Sequence, residues 1–126
     1  MKTIIQSASA PAPIGPYSQA VRAGNLLFCS GMIALDPLTG NMVDGTVADE
    51  AHQVMRNIGA LLHEAGTGFE HIIKTTIFLR TMDDFGAVNE VYGGYFTHQF
   101  PARETVAVAG LPKNARVEIS VTVLIP

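Results

Sequence analysis

A chain of 126 residues and 13.4 kDa, 48% hydrophobic and only 15% charged, is long enough for one core and too short for two, and it carries too little charge to coat a monomer comfortably. Its net charge of −3, with eight Lys and Arg scattered along it, excludes the basic face of a phosphate-backbone binder. No apolar stretch approaches the ~20 residues of a membrane span, and the lone Cys29 suits a reducing compartment. The expectation is a single cytoplasmic domain over residues 1–126 that hides some apolar surface between subunits.

Met1 to Gln6 is too short an apolar segment for a secretory signal. Three prolines between Pro11 and Pro16 remove backbone donors, so this stretch reads as an ordered loop delivering Tyr17. Tyr17 to Val21 and Leu26 to Ser30 flank the turn signal Ala23-Gly24-Asn25 and predict a hairpin. Asp36-Pro37 with Thr39-Gly40-Asn41 predicts a second reversal. Thr46-Val47-Ala48-Asp49 resembles a capping box. Val47, Ala51, Val54, Ile58, Leu61, Leu62 and Ala65 then recur at helical spacing until Gly66 stops them.

Ile72 to Leu79 is nearly unbroken in apolarity, as a central strand is. Asp83 and Asp84 open a second helix with a stripe of Phe85, Val88, Tyr92 and Phe96. Pro101 starts a C-terminal pair of strands joined through Gly110 to Asn114. The predicted class is α+β: a mixed sheet with two helices on one face and an open second face for a homo-oligomer to cover.

Two charges sit within the apolar C-terminal strands. Alternation places Arg103, Thr105 and Ala107 on one face, and Glu118, Ser120 and Thr122 on one face of the last strand. With an even connecting loop, Arg103, Thr105 and Glu118 point the same way; one slipped residue undoes this. Each charge reads either as a solvated or ion-paired strand residue or as part of a ligand site. In the second case the guanidinium fork takes a carboxylate and the glutamate holds or deprotonates water. Cys29 reads as a packed apolar side chain. His52, His63, His71 and His98 lack metal-ligand spacing, so no metal is expected.

Phe100-Pro101-Ala102-Arg103-Glu104-Thr105-Val106, Leu111-Pro112-Lys113 and Val117-Glu118-Ile119 together resemble the C-terminal signature of the RidA (YjgF/YER057c/UK114) family. The resemblance runs upstream through Ile14-Gly15-Pro16-Tyr17-Ser18-Gln19-Ala20, Ser30-Gly31, Asp36-Pro37, Asn57-Ile58, Glu64-Ala65-Gly66 and Val88-Asn89-Glu90-Val91-Tyr92. It implies a chorismate-mutase-like fold assembled as a homotrimer with clefts between subunits. It also implies a cofactor-independent deaminase hydrolysing reactive 2-imino acids and enamines, such as 2-iminobutanoate and 2-iminopropanoate, to 2-keto acids and ammonia. By position, Arg103 binds the substrate carboxylate and Glu118 orients water, while Tyr17, Ser30, Gly31, Asn89 and Thr105 contact substrate. Met32, Glu104 and Thr105 depart from residues common in the family, which bears on substrate range. A non-catalytic 2-keto acid-binding trimer is the alternative. Endoribonuclease or chaperone activity, also attached to family members, fits an acidic chain poorly, and no nucleic acid or membrane partner is expected.

Overall fold

The computed structural model describes residues 1–126. Its strands are β1 (Lys2–Ile5), β2 (Ala20–Ala23), β3 (Leu26–Cys29), β4 (Ile72–Leu79), β5 (Ala102–Ala107) and β6 (Val117–Leu124), with helices α1 (Val47–Glu64) and α2 (Phe85–Gly93). One sheet runs in the order β1-β2-β3-β6-β4-β5. β4 pairs antiparallel with β6 and parallel with β5, so the predicted mixed sheet is present. No helix is long and apolar enough to cross a membrane.

The first helix follows its sequence signals closely. The Thr46 hydroxyl accepts from the Asp49 N–H and the Asp49 carboxylate accepts from the Thr46 N–H, which closes the capping box. Val54, Met55, Ile58, Leu61 and Leu62 are wholly buried against Leu27, Ile77, Ile119 and Val123 of the sheet. The opposite sheet face has no helix, and Phe28, Val106 and Leu124 are exposed there.

Three expectations need correction. β2 begins at Ala20 rather than Tyr17: the Tyr17 N–H turns back to Gly15 O, and the Gln19 side chain ties the preceding loop down, its amide donating to Ser7 O, Ala10 O and Pro11 O and accepting from Ser7 N–H. α2 ends at Gly93, short of Phe96, since Gly93-Gly94 is a poor helix continuation. Most consequential, β5 and β6 are not neighbours. β4 lies between them, since β5 enters parallel to β4 and occupies the sheet edge. The strand Lys2–Ile5 had no clear signal in its four residues; it forms by pairing with β2.

Arg116, just ahead of β6, is committed to α1. Its backbone N–H and Nε donate to the two carboxylate oxygens of Glu50, and Nη2 donates to Gly45 O. Glu50 is 4% exposed, so removing its cation strands a buried charge. We expect Arg116→Met to lower unfolding free energy by about 3 kcal/mol, read as a lower urea midpoint by circular dichroism. A midpoint equal to the parent's contradicts this clamp.

Candidate functional site

Sheet register decides where the candidate residues point. Across β4, Thr75 faces both Arg103 and Val121, and Ile77 faces Thr105 and Ile119. Directly opposed residues share a face, so Arg103 and Thr105 lie on the helix side. Phe78 faces both Val106 and Glu118, so Glu118 lies on the helix-free side. The expected same-face placement of Arg103 and Glu118 therefore fails. Inserting β4 between their strands makes their relative facing depend on two registers that no loop count reveals.

On the helix side, Arg103 Nη1 donates to Asn89 Oδ1 at 2.8 Å. Its guanidinium lies 5.3 Å over the Tyr92 ring and 5.8 Å from the Phe85 ring, which orients the fork by cation–π attraction. Tyr92 is itself fixed, its hydroxyl donating to the fully buried Thr75 Oγ1 at 2.9 Å. Burial pushes the Tyr92 phenol above its usual range, so it remains neutral. No carboxylate pairs with Arg103, and four of its five donors are uncommitted. The side chain borders an open groove with Asn89, Tyr92, Gly93, Phe100 and Pro101. Thr105 Oγ1 is buried nearby on the strand with no hydrogen-bond partner. Glu104 points away from Arg103, as alternation predicts, and binds Thr76 and Lys74.

On the other side, Glu118 shares a recess with Ile14, Tyr17, Ser30, Gly31 and Pro112. It has no ion-pair partner, and burial alone raises its carboxyl pKa. A carboxylate raised in this way is the stronger base for proton abstraction. The Ser30 hydroxyl donates to Ser18 O at 2.6 Å, which leaves it only acceptor capacity toward the recess. Tyr17 accepts from the Ile14 N–H at 3.2 Å, which folds the loop across the recess. The far rim is pinned where Arg80 donates to Asn114 O and Oδ1 at 3.0 and 2.7 Å. That contact holds Lys113 and Asn114 in left-handed backbone at φ 53° and 55°.

Gly31 is required by close approach. A Cβ built at position 31 collides with the Glu118 carboxylate. Gly31→Ala is therefore expected to displace that carboxylate in the variant's crystal structure with an unchanged circular dichroism spectrum; a carboxylate left in place contradicts the contact.

The structure thus brings Tyr17, Ser30, Gly31 and Glu118 together, brings Arg103 beside Asn89 with Thr105 on the same strand face, and separates the two sets by the sheet. Sequence reading missed Tyr92 and Phe85 as a frame for Arg103; their helical spacing with Asn89 was the available signal. It also missed Pro112 and Ile14 as recess walls. Cys29 is buried and its thiol is pushed up to about 12, so it stays protonated and unreactive. His52 Nδ1 lies 3.0 Å from the Tyr95 hydroxyl.

Residues 7–125 match the model of the family described as endoribonuclease L-PSP. The chain is 52% identical over 125 residues to a RutC family protein from Synechocystis sp., covering 98% of this chain and 96% of the relative. It is 46% identical over 119 residues to human 2-iminobutanoate/2-iminopropanoate deaminase, covering 94% and 87%. The crystal structure of RidA from an Antarctic Psychrobacter superposes with a TM-score of 0.94 at 38% identity, covering 98% of this chain and 99% of that one.

Proposed function

The chain belongs to the endoribonuclease L-PSP (RidA) family, and from that premise we propose that it hydrolyses small 2-imino acids to 2-keto acids and ammonia. The observation that supports the reading is that Arg103 and Glu118 lie on opposite faces of the sheet. Arg103 with its free donors and Glu118 with its raised carboxyl are complementary in chemistry yet separated within one subunit. They meet where a neighbouring copy brings its Arg103 groove to this copy's Glu118 recess. The apolar helix-free face, with Phe28, Val106 and Leu124 exposed, supplies surface for that assembly, and a closed homotrimer with three such clefts satisfies it.

In this cleft the substrate carboxylate sits in the guanidinium fork of one subunit, and its C=N carbon lies beside Glu118 of the next. Glu118 takes a proton from water as the water oxygen bonds to the carbon of the protonated imine and the C=N π electrons move to nitrogen, giving a neutral carbinolamine. Glu118 then returns that proton to nitrogen. The C–N bond breaks to release ammonia while the hydroxyl proton passes back to Glu118 and the C=O bond forms, and ammonia leaves with that proton as ammonium. Enamines enter after tautomerising to the imine. The iminium carbon is already electrophilic, so positioning and one general base suffice.

The family's endoribonuclease title is a weaker guide, because a net charge of −3 gives no electrostatic footing for a phosphate backbone. The test generates imines from alanine and 2-aminobutyrate with an amino-acid oxidase and traps them with semicarbazide. Addition of this protein is expected to lower the trapped adduct and raise free 2-keto acid. Adduct unchanged at any protein concentration defeats the deaminase reading and favours a binding protein.

A further inference from the structure

The Glu118 recess does not end at Glu118. Behind it lies an inner chamber of about 50 Å³ whose walls add Pro11, Ile33 and Leu35 to the Ile14 and Pro112 of the mouth. Ile33 and Leu35 are 7% and 4% exposed and form a small apolar cluster of their own with Ala115, set apart from the main core. Among the polar side chains at its border, the Tyr17 hydroxyl sits at the exposed mouth, where it accepts from the Ile14 N–H, and the two deeper ones are committed. The Gln19 amide is engaged with Ser7, Ala10 and Pro11, and the Ser30 hydroxyl is held by Ser18 O. Glu118 at the neck is the one charged group in the lining. A chamber so lined has little to offer a polar guest, and its volume admits only a few heavy atoms.

We propose that this chamber receives the substrate's side chain, and that Leu35, Ile33 and Ile14 set how long and how branched that chain is. The inference rests on the imine-hydrolysis reading. In a 2-imino acid the carboxylate and the side chain leave the same carbon in different directions. With the carboxylate held by a neighbour's Arg103 outside and C2 beside Glu118 at the neck, the remaining substituent points inward. Short alkyl chains fill the space, γ-branched chains overfill it, and charged chains lose hydration without a partner.

The experiment measures kcat/KM for imines generated from 2-aminobutyrate and from leucine in the parent, Leu35→Ala and Ile14→Ala proteins. Calorimetry of 2-oxobutanoate and 4-methyl-2-oxopentanoate binding by the same proteins reads the chamber without turnover. Leu35→Ala is expected to shift both preferences toward the branched chain by about tenfold or more. Ile14→Ala, at a position 53% exposed and so without cost to the core, is expected to shift them in the same direction. A parent that binds the keto acids but hydrolyses no imine defeats the activity while leaving the chamber to the binding ratios. Unchanged ratios in both variants, or equal changes for both chain types, overturn the proposal.

Discussion

Replacing Arg103 by Ala is expected to lower kcat/KM for imine hydrolysis by about 10² to 10⁴, since two charge-assisted hydrogen bonds to a carboxylate are each worth roughly 1.5–3 kcal/mol. Most of the loss falls in KM, because the carboxylate is held equally in ground and transition states; a fall in kcat reports the misplacement of C2 relative to Glu118. The fold should survive. Arg103 is exposed on the edge strand and makes one side-chain hydrogen bond, to Asn89, so its structural contribution is a cation–π contact and little else. Arg103→Lys separates charge from shape: it keeps the cation but loses the planar fork and its stacking over Tyr92, so activity should fall between parent and Ala. Initial rates across substrate concentration, beside sedimentation and thermal midpoints, decide the matter. A kcat/KM for Arg103→Ala within threefold of the parent eliminates the guanidinium as the carboxylate anchor.

How much of this was legible in the sequence depends on the range of the interactions involved. α1 was readable to within a residue or so of each end because its signals are local: a capping box at Thr46 and Asp49, apolar residues one turn apart, and a glycine stop. Alternation along a strand is equally local, so Arg103 and Glu104 were separable. The neighbours of a strand are not local. Gly110 to Asn114 looks like a hairpin connection, yet β5 and β6 pair with opposite edges of β4. That choice is made by burial of the whole sheet under α1 and α2, a property no window of residues carries. The facing of Arg103 relative to Glu118 was lost with it. The recess was hidden for a similar reason: Pro11, Leu35 and Pro112 come from three distant loops, and Gln19, which organises the first of them, looks like any polar residue before a strand.

The separation of Arg103 from Glu118 leads to the second large effect, which no single-subunit site produces. Glu118→Gln is expected to lower kcat by about 10² to 10⁴, the usual range for loss of a general base, with keto-acid binding retained because Arg103 is untouched. Arg103→Ala and Glu118→Gln subunits should each be nearly inactive alone. Co-refolded at equal amounts, they should regain activity at about a quarter of sites, because half of the arginine donors and half of the glutamate donors are intact and the cleft joins one of each. A site within one subunit predicts no recovery at all. The pH profile supplies an independent check. Burial raises the Glu118 pKa, so the protonated acid is favoured in the fold and the base form accumulates only above the ordinary glutamate range. Activity should climb with pH as Glu118 ionises, at a lower pH in the assembled cleft than in the lone protomer because a neighbour's Arg103 favours the carboxylate, and the climb should vanish in Glu118→Gln. Linkage fixes the accompanying stability change: ionising Glu118 in the protomer costs folding free energy, a penalty absent below its unfolded pKa and complete above its folded one. A neighbour's Arg103 opposes that penalty on assembly, so parent subunits should associate more tightly as Glu118 ionises, and Arg103→Ala subunits should not.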